Sequence, residues 1–269
     1  MLIGQQKILS FLQNAAESGS LAHAYCLVGP NQVGKRTLAR QFAASLLKVS
    51  EEKLDSHPDF FYLERAEDEK TGKLKKDIII SQSRDLRARL QSRSWLNGYR
   101  VSIIDEAELL NGASGNALLK ILEEPPEKSV LFLLTENDQV VLPTIKSRAP
   151  ALFFSLVKNE EIVQGLIGMG KTKEEAERAA EWSWGRPGKA IELANSKDLQ
   201  TDYLKELERW KKIIDQPFYS KLKIIEEIFG DKNDAVRGRG KLQNILDIWI
   251  MEWRKKMLEK KSNNAPEII

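Results

Sequence analysis

The 269-residue sequence contains a single cysteine, Cys26, which excludes an internal disulfide and any zinc site built from cysteines. It has no apolar run near the roughly 18 residues that a membrane-spanning helix needs, and its first residues lack the basic-then-apolar order of a secretory signal. Neither sign of charge is in large excess: the sequence has 42 Lys and Arg and 39 Asp and Glu, so its formal net charge is +3. We therefore expect a cytoplasmic protein without a membrane partner, in which any nucleic-acid contact depends on local basic patches.

The hydrophobic pattern divides the chain into three parts, and the length allows more than one core. Residues 1–155 alternate short apolar runs with helix-period segments, which predicts an α/β fold around a parallel sheet. Residues 156–196 read as short helices with a break at Gly185–Gly188, and residues 197–269 read as helices alone. An apolar stripe at three- and four-residue spacing near the end predicts core or subunit interface; it comprises Leu242, Ile245, Leu246, Trp249, Ile250, Trp253 and Met257.

Within the first part, the apolar runs predict five strands and the periodic segments four helices. The strands are Ala24–Val28, Phe60–Leu63, Val101–Ile104, Val130–Thr135 and Ala151–Phe154. Several lack alternation, as expected of strands covered on both faces. The helices are Gln5–Glu17, Lys35–Leu47, Ser81–Arg93 and Ala113–Glu124, the last of which ends before two prolines that cannot continue it.

A phosphate-binding loop is predicted between the first strand and the second helix. Glycines at Gly29 and Gly34 let the backbone curl so that N–H groups face an anion at the helix N-terminus, and Lys35 would reach the outer phosphates. The next residue is normally Ser or Thr, whose hydroxyl ligates magnesium, but here it is Arg36. Thr37 lies about 100° further around the helix and is a poor substitute. A glycine turn without a ligand is the alternative. The replacement of the hydroxyl by Arg36 leads us to expect that efficient hydrolysis is lost.

Polar residues at the ends of two later strands predict the rest of a nucleotide site. Asp105 would hold Mg²⁺ through water, and Glu106 would orient or deprotonate the attacking water, although such a pair is also common as a helix cap. Thr135 and Asn137 follow another strand and are sensor candidates that would position water beside the γ-phosphate; ordinary turn chemistry is the alternative.

Arginines supply two further candidate sites. Arg148 precedes the last strand at the edge of the domain, where an arginine can stabilise phosphate charge in a neighbouring subunit's nucleotide site; a plain surface arginine is the alternative. Arg84 and Arg87 share one side of a predicted helix and are candidates for DNA phosphate contact, although a solvated basic face explains them equally well.

Several stretches of the chain resemble bacterial AAA+ clamp-loader subunits, and most specifically the delta-prime subunits of DNA polymerase III. The resemblance is strong from about Gly4 to Ala194 and weak beyond. The stretches that carry it are Leu21–Tyr25, His57–Asp59, Ile104–Glu108, Asn116–Pro126 and Leu142–Arg148.

This resemblance implies a RecA-like AAA+ domain over residues 1–155, a three-helix lid over 156–196 and a shortened helical collar for oligomerisation over 197–269. It implies a place beside gamma/tau and delta subunits in a complex that uses ATP to load a sliding clamp onto primed DNA during replication. Delta-prime subunits resemble rigid scaffolds, and their own ATPase activity is weak or absent. Their Ser-Arg-Cys motif gives an arginine to the ATP site of the adjacent motor subunit. Ser147-Arg148-Ala149 matches its first two positions.

Two departures from a motor subunit favour the scaffold. Arg36 replaces the magnesium hydroxyl, and Gly188 stands where motor subunits place a lid arginine. ATP and Mg²⁺ are therefore expected only at a degraded site in which Asp105 and Glu106 are vestigial, and zinc is not expected because the four cysteines of many relatives are missing. The alternatives are a gamma/tau-like motor that hydrolyses ATP at its own loop and a stand-alone P-loop switch.

Overall fold

A computed structural model describes residues 1–67, 74–92, 94–95, 98–214, 216–217, 219, 221–222, 242 and 245–257. Within these residues the sheet is five-stranded and parallel, in the order β2-β3-β4-β1-β5. The strands are β1 (Ala24–Val28), β2 (Phe60–Leu63), β3 (Arg100–Ile104), β4 (Ser129–Thr135) and β5 (Ala151–Phe153). Because every strand runs the same way, the segments that follow them meet at one edge of the sheet.

Alternate residues of each strand supply two separate apolar cores, one on each face of the sheet. In β1, Tyr25 and Leu27 belong to one core and Cys26 to the other. The first core is completed by α1 (Gln6–Glu17) and α2 (Lys35–Leu47), and the second by α3 (Ile80–Gln91), α4 (Gly112–Glu123) and α5 (Pro143–Lys146). β1, β3 and β4 are buried along their whole length, as expected of parallel strands that are covered on both faces, and the α/β fold is confirmed.

Three short helices follow the sheet: α6 (Asn159–Gly168), α7 (Lys173–Ser183) and α8 (Pro187–Asn195). A capping box begins α7, in which Thr172 and Glu175 satisfy each other's backbone N–H groups. The segment before α6 is tied to the turn before α8, because Val157 N–H donates to the Gly185 carbonyl at 2.8 Å.

The chain separates into two compact units, Met1–Ile191 and Glu192–Ile269, and the predicted boundaries at 155/156 and 196/197 stay a prediction. The second unit contains α9 (Lys197–Ile214) and a helix over 245–257, joined by an edge-to-face contact of the Trp210 and Trp253 rings at 6.3 Å. Of the predicted stripe, Ile245 is buried. Four members spaced along one face are exposed: Leu246, Ile250, Trp253 and Met257. None of the described helices is long and apolar enough to cross a membrane.

Candidate functional site

The predicted phosphate loop lies between β1 and α2 and depends on two glycines. A Cβ at Gly29 would overlap the backbone oxygen of Phe154, so only glycine fits there. Gly34 has φ +101°, a conformation that other residues rarely adopt, and it turns the chain directly into α2. Gly29 N–H donates to the Thr135 carbonyl at 3.1 Å, which fixes the start of the loop to the end of β4.

Lys35 lies buried at the first position of α2, with its ammonium folded onto the loop. Its Nζ donates to the Gly29 carbonyl at 2.5 Å and to the Pro30 carbonyl at 2.8 Å. Burial lowers the pKa of Lys35, while the carboxylates of Glu136, Glu108 and Asp105 act in the opposite direction. A buried ammonium beside a curled backbone suits a phosphate group.

Asp105 follows β3 and accepts a hydrogen bond from Tyr62 of β2. The Tyr62 hydroxyl lies 2.5 Å from Asp105 Oδ2, and the Glu106 N–H donates to Oδ1 of the same carboxylate at 3.0 Å. Burial raises the pKa of Tyr62, and the hydrogen bond to Asp105 raises it further, so Tyr62 is a neutral donor at physiological pH. Both Asp105 oxygens therefore have a partner within the chain.

Glu106 forms a two-point ion pair with Arg65, which lies just beyond the end of β2. Arg65 Nε donates to Oε2 at 2.6 Å and Nη2 to Oε1 at 2.8 Å. Glu106 also has φ +51°, a left-handed conformation uncommon for a residue with a side chain. The carboxylate that would act on water is thus held by a guanidinium.

Arg36 lies beside the same pair of strands, with its guanidinium carbon 4.6 Å from the centroid of the Tyr62 ring. Thr37 is half-buried and has no hydrogen-bonded partner for its hydroxyl among the described residues. These residues do not fit a magnesium site, because a cation replaces the ligating hydroxyl and both Asp105 oxygens already accept hydrogen bonds. Across the described ranges, no three His, Cys, Asp or Glu side chains are grouped to hold a metal ion.

The sensor candidates Thr135 and Asn137 form a turn after β4. The buried Thr135 hydroxyl donates to the Asn137 carbonyl at 3.1 Å and accepts from the Asn137 N–H at 3.2 Å. The Asn137 side chain accepts from Gln139 N–H at 2.9 Å. Turn hydrogen bonds therefore account for the described contacts of both side chains.

The beginning of α8 packs directly against the phosphate loop. Gly188 N–H donates to the Gln32 carbonyl at 2.9 Å, and a Cβ on Gly188 would lie 3.0 Å from Gln32 Cβ. Gln5 also contacts the loop, because its Nε2 donates to the Val33 carbonyl at 3.5 Å as well as to the Ser155 carbonyl at 2.7 Å. The position where motor subunits carry a lid arginine is therefore a tight backbone contact.

Arg148 lies between α5 and β5 with 34% of its side chain exposed. Its Nη1 donates to the Thr144 carbonyl at 2.9 Å and to the Ser147 hydroxyl at 3.0 Å, and its Nη2 donates to Glu123 at 2.9 Å. A guanidinium has five N–H donors, and three hydrogen bonds are donated here. Two N–H groups therefore have no acceptor within the described part of the chain and can donate to another molecule.

Both DNA-contact candidates lie on α3. Arg84 is exposed and Arg87 is half-buried. Arg89, further along the helix, stacks on the Phe61 ring with its guanidinium carbon 4.0 Å from the centroid. Arg93, the last residue of the helix predicted from the sequence, lies outside the described residues.

Tyr62 and Arg65 are site residues that the sequence did not predict. They meet Asp105 and Glu106 because β2 pairs in parallel with β3, with Tyr62 opposite Ile103 and Leu63 opposite Ile104. A tyrosine and an arginine at the end of a predicted strand were the available signal, but the neighbouring strand was needed to interpret it.

A family model described as DNA polymerase III, delta subunit, matches residues 4–158. DNA polymerase III subunit delta' of Pseudomonas aeruginosa is 39% identical over an alignment of 158 residues that covers 54% of this chain and 45% of that protein. DNA polymerase III subunit gamma/tau of Mycobacterium bovis is 33% identical over an alignment of 175 residues that covers 58% of this chain and 28% of that protein.

The similarity to these curated relatives spans less than half of their length. Among solved structures, the Thermotoga maritima RuvB Holliday junction branch migration motor superposes with a TM-score of 0.50 at 25% identity, covering 71% of this chain and 61% of that one. The parallel sheet, the phosphate loop and this likeness agree on the RecA-like AAA+ fold. Because the family model matches more than half of the chain, the protein belongs to the delta and delta-prime family of DNA polymerase III clamp-loader subunits.

Proposed function

We propose that the protein is the delta-prime subunit of a bacterial DNA polymerase III clamp loader. It assembles with gamma/tau and delta subunits, and through that complex it acts on the sliding clamp and primed DNA. Its own phosphate loop binds nucleotide without efficient hydrolysis, and Arg148 completes the ATP site of the adjacent motor subunit. Family membership and the 39% identity to a delta-prime subunit support this proposal.

The observation that carries the non-motor role is the ion pair between Glu106 and Arg65. Phosphoryl transfer to water needs a group that orients the nucleophile and accepts its proton. A carboxylate that already accepts two hydrogen bonds from Arg65, at 2.6 and 2.8 Å, is not free to do so. The contact between Gly188 and Gln32 supports the same conclusion, because the lid has no arginine at that position to sense a γ-phosphate.

The exposed position of Arg148 supports its proposed role in trans. Its guanidinium is held by three acceptors on its own chain, so it is already ordered before a partner arrives, and two N–H groups are left to donate. Preordering reduces the entropy lost when a neighbour's phosphate docks. An arginine finger accelerates phosphoryl transfer by about 10³- to 10⁵-fold.

A gamma/tau-like motor is the second candidate, favoured by the 33% identity to a gamma/tau subunit and by the intact Lys35. It predicts that the purified chain alone hydrolyses ATP and that Lys35→Ala abolishes the turnover. The proposed function predicts no such turnover. Failure to associate with any clamp-loader subunit would instead favour a stand-alone nucleotide-binding switch.

Reconstitution with gamma/tau and delta subunits tests the proposal. Arg148→Ala should leave assembly intact and remove the turnover of the ATP site that this arginine serves, so that the ATPase activity of the complex falls. Arg40→Ala is the matched control, because it also removes an arginine that forms a surface ion pair, here with Asp55. Normal ATPase in the Arg148→Ala complex would reject the role in trans.

A further inference from the structure

The phosphate loop and the end of β3 are joined by side chains at the place where AAA+ motors use a metal. In a working site, a hydroxyl on the loop helix and an aspartate at a strand end hold the same Mg²⁺, so the ion connects the two elements. Here Arg36 on α2 contacts the Tyr62 ring at 4.6 Å, and the Tyr62 hydroxyl contacts Asp105 at 2.5 Å. These three side chains join α2 to the end of β3 without an ion.

Arg36 brings a permanent positive charge to this position. An arginine guanidinium is always charged in proteins, and stacking on an aromatic ring is favourable for a cation. The Arg36 side chain is exposed. Within the described part of the chain it contacts the Tyr62 ring and makes no hydrogen bond. Its N–H donors are therefore available to the oxygens of a polyphosphate.

The carboxylates, in contrast, are already occupied. Asp105 accepts from Tyr62 and from the Glu106 N–H, and Glu106 accepts twice from Arg65. A divalent cation at this edge would have to displace these donors and would approach the charge of Arg36. Repulsion and lost hydrogen bonds both disfavour it.

We propose that Arg36, stacked on the Tyr62 ring whose hydroxyl binds Asp105, takes the place of the divalent cation, so that this site binds nucleotide polyphosphate without metal. Lys35 and Arg36 neutralise the phosphate charge. The inference rests on the proposed function for one point, that the loop binds nucleotide at all, and it concerns the form in which the nucleotide is bound.

The test is the Kd of a fluorescent ATP analogue for the full chain, measured once in EDTA and once in excess magnesium chloride. For the unaltered chain, magnesium should leave the Kd unchanged or raise it, because the free polyphosphate carries more negative charge. Arg36→Thr should raise the Kd in EDTA about tenfold, the size expected for one lost charge-assisted contact. Arg36→Thr combined with Tyr62→Phe should bind more tightly with magnesium than without it, because a hydroxyl and a released carboxylate are then present.

Arg40→Thr is the matched control, since it makes the same replacement one turn further along α2 and should leave both Kd values unchanged. Tighter binding of the unaltered chain with magnesium would overturn the inference, as would no binding in either buffer or an equal effect of Arg40→Thr. These outcomes are independent of the ATPase test of Arg148. A magnesium-dependent Kd together with a normal Arg148 effect would reject the metal-free site and leave the proposed function standing.

Discussion

Glu123 and Arg148 are joined at 2.9 Å, between the last residue of α4 and the turn that precedes β5. The two side chains are 51% and 34% exposed, so the pair lies at the surface, where screening by water leaves an ion pair worth about 1 kcal/mol or less. The ion pair therefore orients the Arg148 guanidinium and contributes only a minor part of the stability of the fold.

Glu123→Gln should therefore separate positioning from stability. We expect the free energy of unfolding to change by less than about 1 kcal/mol, while ATP turnover of the reconstituted complex falls by less than Arg148→Ala lowers it, because the arginine stays but is less well ordered. Denaturant unfolding and steady-state kinetics measure the two effects. Glu124→Gln, the exposed neighbour, is the control. A rise in turnover would mean instead that Glu123 competes with the neighbour's phosphate.

Arg84 and Arg87 give a prediction about salt dependence. Each phosphate contact that an arginine makes on duplex DNA contributes about −0.9 to the slope of log K against log salt. If both arginines contact primed DNA, the assembled complex carrying Arg84→Ala and Arg87→Ala should show a slope shallower by about 1.8. A salt titration of primed-template binding measures this slope. An unchanged slope would identify α3 as a solvated basic face.

Most of the fold could be predicted from local sequence because its strands are buried on both sides. The predicted bounds of β1 and β2 agree with the structure at both ends, as do those of α2, since an apolar run or a glycine-lysine junction marks each limit. The remaining strands of the sheet differ by one residue, and α3 ends at Gln91, two residues before its predicted end. Boundaries in polar sequence carry a weaker signal.

The candidate site was only half predictable, and the reason is sheet order. Asp105 and the phosphate loop are recognisable from their own sequence context. Their partners are not, because Tyr62 reaches Asp105 only if β2 is the neighbour of β3, and no local pattern specifies that adjacency. The contact of Gly188 with Gln32 likewise depends on where α8 packs, which hydrophobic periodicity does not specify.

Gly188→Arg should not restore a nucleotide-sensing lid. The new Cβ would lie 3.0 Å from Gln32 Cβ and 3.2 Å from the Gln32 backbone oxygen, so either the loop or α8 must shift. We expect a loss of roughly 1–3 kcal/mol in the free energy of unfolding, measured by denaturant titration, and no gain in ATPase. Gly112→Arg is the control, because Gly112 also lies in the first turn of a helix but has open space around it. Unchanged stability together with new ATPase activity would contradict the prediction.

Cys26 provides a pH-dependent test of the buried sheet. The thiol is 1% exposed in β1, and burial raises its pKa from 9.0 to about 11, with the Asp138 carboxylate acting in the same direction. Because the folded chain then holds a proton that the unfolded chain releases, stability falls as pH rises from about 9 to about 11. Two pKa units correspond to roughly 2–3 kcal/mol. Urea unfolding should therefore show that the stability advantage of the unaltered chain over Cys26→Ala becomes smaller across that pH interval. Parallel curves of stability against pH for the two proteins would contradict the prediction. Rapid labelling of the folded protein by iodoacetamide near neutral pH would also contradict it, because the buried thiol should be shielded by the sheet.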